Sequence, residues 1–193
     1  MEKQFNKVNY SEYEGKYDEH MKEKMAKAPE SIDIETMRAN LYGYTFTKEY
    51  ADGEIPDELS MDYWEEYHFE NDLLDDSGEI DVMAIINRTN IAIKDGTDRI
   101  YHHVSPQEKL ILKAIDSTGD GKTPETALCV IDVHQEYEYL ERVIRYSGMR
   151  LIKQSVRNGI DCLELKDIDG YEEKVFFDIS RRFEVDYPIL TEK

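Results

Sequence analysis

The stretch from Asp116 to Ala127 comes closest to a chemical motif. Gly121-Lys122-Thr123 ends like a phosphate-binding loop, in which backbone N–H groups cradle the phosphates and a lysine neutralises them. That motif needs a glycine five positions before Gly121, where Asp116 stands. It also needs a strand before and a helix after, whereas here a helical pattern precedes and Pro124 and a strand-like run follow. Asp116, Thr118, Asp120 and Gly121 fall at positions one, three, five and six of a calcium loop. The twelfth position, which must supply a bidentate glutamate, is Ala127. His102 and His103 are adjacent and point in different directions, and His20, His68 and His134 have no histidine or cysteine at ligand spacing. With 43 carboxylates in the chain, no pair stands out as an acid/base dyad. Nucleophile elbow, Cys–His signature and dinucleotide fingerprint are all missing. The reading is a non-enzymatic protein with no cofactor and no metal.

Charge carries more information than any motif. Residues 49–87 contain no lysine or arginine and 14 carboxylates, so 14 of the 19 net negative charges sit in 39 of the 193 residues. Crowded carboxylates repel one another, and a cationic partner would relieve the repulsion and be steered onto the surface. Magnesium-dependent nucleic-acid chemistry would need basic residues here to receive phosphates. Tyr50, Tyr63, Trp64, Tyr67 and Phe69 are interleaved with the acids, where a purely solubilising run would be poor in aromatics. Aromatic anchors inside a charged rim are the usual make-up of a binding hot spot. The expected partner-binding residues are Asp57, Glu58, Asp62, Trp64, Glu65, Glu66, Tyr67, Glu70, Asp72, Asp75 and Asp76. The bland alternative is a solvated acidic face, with the aromatics turned into the protein's own core.

The expected function is therefore that of an acidic binding protein that neutralises a basic protein partner. Its sharpest version is an immunity protein against an antibacterial nuclease toxin, since such toxins present cationic grooves for phosphate. Nucleic acid and anionic membranes are excluded as direct partners by charge. Two other readings stay open: a scaffold or peptide-binding protein with tetratricopeptide-like helices, and a carboxylate-dependent hydrolase. A hydrolase would show two facing carboxylates in a deep pocket, one with a strongly raised pKa. The N-terminus has no apolar export segment, no apolar run reaches membrane-spanning length, and Cys129 and Cys162 suit a reducing cytoplasm as buried thiols.

The elements read as α+β: a helical N-terminal part (1–118), then a small, mainly antiparallel sheet with one helix (119–193, β-α-β-β-β), together one compact unit. Helices are expected over 11–27 with Ser11 as cap, from the Asp33 cap to about Tyr44 or Phe46, over 60–74, over 81–94, and from the Ser105-Pro106-Gln107-Glu108 capping box to about Asp116 or Ser117. Strands are expected over 128–133 and 149–157. Residues 160–166 and 174–180 are expected to pair as a hairpin around Asp169-Gly170. Between the first two strands lies a helix over 134–146, with Tyr137, Leu140, Val143 and Ile144 as its apolar stripe.

Several runs taken together resemble one family. They are Gly119–Ala127, Val130-Ile131, His134-Gln135-Glu136-Tyr137, Gln154-Ser155, Asp161–Leu165, Val175–Ser180 and, in the N-terminal half, Leu41–Phe46. The chain resembles the domain-of-unknown-function family 4919 of Bacteroides-type bacteria over most of its length. The resemblance implies a helical part followed by a small sheet, often with tetratricopeptide-type helical pairs in the middle. Residues 80–110 depart from that pattern, with no clear helix-pair repeat. The resemblance assigns no catalytic residues, so none is carried over.

Overall fold

The computed structural model describes residues 5, 8–72, 92–94, 100–102, 104–144 and 149–186. The architecture is α+β. Helices fill the N-terminal half and a four-stranded mixed sheet the C-terminal half, and a last helix returns to the helical side. The helices are α1 (Met21–Lys27), α2 (Ile34–Tyr44), α3 (Lys48–Ala51), α4 (Met61–Asp72), α5 (Pro106–Asp116), α6 (Val133–Ile144) and α7 (Ser180–Asp186). Strand β1 (Ala92–Lys94) pairs antiparallel with β2 (Ile100–His102). The main sheet has the order β3 (Leu128–Cys129), β6 (Glu172–Asp178), β5 (Ile160–Lys166), β4 (Arg150–Arg157). Among the described strands only the β3–β6 pair is parallel. Among the described residues no helix is long and apolar enough to cross a membrane.

Local chemistry sets the helix starts where capping is strong. The Asp33 carboxylate accepts from the Thr36 N–H at 2.6 Å and opens α2. Ser105 and Glu108 exchange side-chain and backbone hydrogen bonds around Pro106 and open α5. The β5–β6 hairpin also forms as expected, with Gly170 at φ +90° in its turn. It begins two residues earlier, at Glu172, and ends at Asp178, because Ser180 already starts α7.

Three expectations are corrected. Residues 11–27 are not one helix: a 3-10 turn spans Tyr10–Tyr13, Gly15 takes φ +72°, and α1 starts only at Met21. A left-handed glycine ends the turn, and the Asn40 side-chain oxygen fixes the Asp18 N–H at 2.8 Å. Ala92–Lys94, expected at the end of a helix, is a strand; the rest of 81–91 lies outside the described residues. The strand expected over 128–133 is only two residues long, since Asp132 caps Gln135 at 2.8 Å and α6 begins at Val133. The short α3 and the closing α7 are additions.

One core unites the two halves. Tyr42 donates its hydroxyl to the Cys129 carbonyl (3.0 Å), and Tyr50 donates to the Ile131 carbonyl (2.5 Å). These tyrosines belong to one apolar cluster with Met37, Leu41, Trp64, Ile115 and Phe177. From α7, Arg181 and Arg182 donate to the carbonyls of Thr45 and Tyr50 (3.0 and 2.6 Å). Each large apolar side chain so buried contributes about 1.5–3 kcal/mol.

Candidate functional site

The Gly119–Ala127 connector is structural. A Cβ on Gly119 would stand 2.2 Å from the Thr126 carbonyl oxygen, so no side chain fits there. Asp120 accepts from the Lys122 N–H and the Thr126 hydroxyl (3.0 and 2.6 Å), and Asp116 accepts from the Tyr139 hydroxyl (2.6 Å). Of the carboxylates that looked like calcium ligands, Asp120 holds the loop itself and Asp116 ties the end of α5 to α6. Cys129 is buried and Cys162 half-buried, and neither is in a disulfide.

The described part of the acidic-aromatic segment, residues 49–72, is distributed over α3, a 3-10 turn and α4. Trp64, expected among the partner-binding residues if exposed, is fully buried, with its indole N–H directed to the Glu58 carbonyl at 3.3 Å. Helical spacing turns it into the core beside Met61 and Leu59. Glu58 is also buried, and its carboxylate accepts from the Tyr17 hydroxyl at 2.6 Å. Burial, then that bond, push the Tyr17 phenol well above its usual range. Asp57 is exposed and pairs with Lys22 at 2.6 Å. Lys22 in turn lies over the half-buried Tyr63 ring at 4.4 Å. Glu66 is exposed and Tyr67 half-buried. Asp62 and Glu65 reach back to Arg142. Glu70 and Asp72 lie in the last turn of α4, and Asp75 and Asp76 lie outside the described residues.

Helix α6 organises the remaining charged side chains, by a face that periodicity did not mark. Its fully buried positions are Gln135, Glu136, Glu138, Tyr139 and Arg142, while Tyr137, expected on the apolar stripe, is exposed. The polar positions turn inward because partners wait for them. Gln135 accepts from the Ile131 N–H and donates to the Leu59 carbonyl (3.2 and 3.3 Å). Glu138 accepts from the Ser60 hydroxyl and the Asp62 N–H (2.7 and 3.0 Å). Arg142 spreads between Asp62 at 2.7 Å, Glu65 at 2.9 Å and buried Glu108 at 3.1 Å. Burial works against the Arg142 charge, but Glu108 and Asp62 outweigh it and hold the guanidinium protonated. His134 joins the rim, 3.5 Å from Asp62 and 3.9 Å from Glu138. Asp62, His134 and Glu138 could in principle grip a cation. Their oxygens, however, already serve Arg142, Ser60 and a backbone N–H, so the donor set fits the arginine better than a metal.

A second cluster on α6 has no cation among the described residues. Glu136 faces Asp161 on β5, and both residues are 0% exposed. Neither Glu136 oxygen, nor Oδ1 of Asp161, has a hydrogen-bond partner of good geometry. The other Asp161 oxygen accepts from the Gln154 amide at 2.5 Å, and Gln154 in turn accepts from the Tyr137 hydroxyl at 2.8 Å. Burial first, then the Asp161 charge, push the Glu136 carboxyl up to about 9, so it stays protonated at neutral pH. Asp132, at the head of α6, is raised by burial too. Sequence reasoning missed this pair because Glu136 and Asp161 look like any other acids in an acidic chain. The one available signal was that both lie inside the runs that carry the family resemblance, together with Tyr137 and Gln154.

Comparison with known proteins adds one finding. No curated protein and no solved structure matches the chain. A family model matches residues 6–187, nearly the whole length, and the chain belongs to the family described as domain of unknown function DUF4919.

Proposed function

We propose that this protein works by binding a basic protein partner through the acidic side built by α3, the following 3-10 turn and α4, and that it acts as an inhibitor of a cationic toxin of the nuclease class. The observation that carries the reading is the charge asymmetry: 14 carboxylates and no lysine or arginine in residues 49–87. Glu49, Asp52, Glu54, Asp57, Asp62 and Glu66 are all exposed, so folding leaves much of that charge facing solvent. The buried Trp64 moves the anchoring role to Tyr63 and Tyr67, which are half-exposed on the same helix. Asp62 and Glu65 contribute less, because Arg142 already offsets them.

The test uses the proteins encoded beside this chain's own gene. One of them should be toxic when expressed alone and harmless when this chain is co-expressed. Reversing Glu49, Glu54, Asp57 and Glu66 to lysine should slow association at low salt by about tenfold or more and remove protection. Full protection by the reversed variant, or the absence of any neutralised neighbour, would refute the reading.

One observation favours a hydrolase: two facing carboxylates, with Glu136 strongly raised. Both are sealed from solvent, however, so no substrate atom reaches them in this conformation.

A further inference from the structure

The open edge of the main sheet has the opposite character to the acidic helices. Strand β4 is the terminal strand, every one of its eight residues is exposed, and among the described residues no backbone hydrogen bond reaches its outer side. Its register on β5 fixes its two faces. Leu151, Gln154 and Val156 stand opposite Leu165, Leu163 and Asp161, the buried side of β5. Lys153, Ser155 and Arg157 therefore point to the other face. On the first face the sheet runs out past α6. Tyr137, Leu151 and Val156 remain between 41% and 47% exposed, and the Tyr137–Gln154 hydrogen bond joins helix to strand. The second face is cationic. Arg150, Lys153 and Arg157 come from a strand with no acid. The nearest carboxylate, Glu164, is shared by Lys153 and Lys174 at 3.1 and 3.2 Å.

We infer that β4 is a docking edge for an extended segment of another protein that alternates apolar and acidic residues, added as a fifth strand to the sheet. The backbone edge would supply hydrogen bonds, the Tyr137–Val156 side would take the apolar residues, and Lys153 and Arg157 would take the carboxylates. The bulge at Ile152 interrupts the ladder between Leu151 and Lys153, so pairing is confined to Lys153–Arg157. A second copy of this chain is the wrong occupant. Two β4 strands side by side would bring their arginines and lysines together, and like charges across a ladder destabilise it. The site lies on β4 and α6, and none of its residues belongs to the acidic side proposed above.

The full-length protein is titrated with a blocked peptide of alternating valine and glutamate about eight residues long, and amide hydrogen exchange is followed residue by residue. The expected result is about tenfold or greater slowing at Lys153–Arg157. Replacing glutamate by lysine in the peptide, or Lys153 and Arg157 by glutamate in the protein, should abolish it. The variant with four reversals on the acidic side should still show it, which separates this site from the proposed toxin-binding surface. Equal slowing by the lysine peptide, slowing confined to other elements, or concentration-dependent slowing without peptide, which would mean self-pairing, would each overturn the proposal.

Discussion

Two buried charge clusters on α6 lie within two turns of each other and differ in one ingredient. Around Arg142 the carboxylates of Glu108, Asp62 and Glu65 converge on a cation. Around Glu136 the carboxyl of one residue meets the carboxylate of Asp161 with no cation between them. The first arrangement repays desolvation by Coulomb attraction and hydrogen bonds; the second avoids it by keeping a proton. The first binds α4 and α5 to α6, and the second leaves the α6–sheet seam carrying unmet hydrogen-bonding capacity. A helix can therefore bury a polar face by two different means, only one of which strengthens the fold.

Removing the cation is the harshest test of that contrast. Arg142→Met leaves Glu108 buried without its partner, and urea unfolding should show a loss of about 3–5 kcal/mol. A loss below about 1 kcal/mol would place the two clusters on the same footing. Next comes Glu136→Gln, for which the sign depends on pH. The Glu136 pKa rises on folding from 4.5 to about 9. The stability linked to this group is therefore whole below about pH 4.5 and is lost as pH rises through about 9. Glutamine removes that loss, so the variant should exceed its parent by about 1–3 kcal/mol at about pH 8, and the gap should close near pH 4. A gap that stays constant with pH would show that Glu136 is not the titrating group. The mildest change is Glu65→Gln, which trims one half-exposed partner of Arg142 and leaves Glu108 and Asp62 in place; about 0.5–1 kcal/mol is expected by the same unfolding measurement.

What the sequence shows of this fold is what neighbouring residues decide. The Asp33 cap, the Ser105–Glu108 box and the β5–β6 hairpin follow from residues within a few positions of one another, and all three appear. The break at Gly15 was legible in type but not in effect, because the tyrosine and methionine spacing around it looked helical. Of the apolar stripe expected on α6, Leu140 and Val143 pack against the core and Tyr137 does not, while a polar side of the helix is buried as well. Its inward polar side chains depend on Leu59, Ser60, Asp62 and Glu108, all distant in sequence, and no period can report them. Trp64 shows the same limit: its composition marked an anchor, and packing made it core. Glu49, Asp52 and Glu66, in contrast, are exposed, as carboxylates without a buried partner are.

The position of β6 bears on how the chain is made. Synthesis runs from the N-terminus, so the tyrosines of α2 and α3 and their acceptor carbonyls at Cys129 and Ile131 emerge well before Asp178. Yet the β3 segment that carries those acceptors is held by β6, through the Leu128–Phe177 register and the Val130 N–H bonded to the Asp178 carbonyl. Helix α7, made later still, closes over Thr45 and Tyr50. A nascent chain therefore waits with its central tyrosines only partly enclosed until β6 and α7 have been made, and a stop codon before residue 178 is expected to unseat the helical half as well as the sheet.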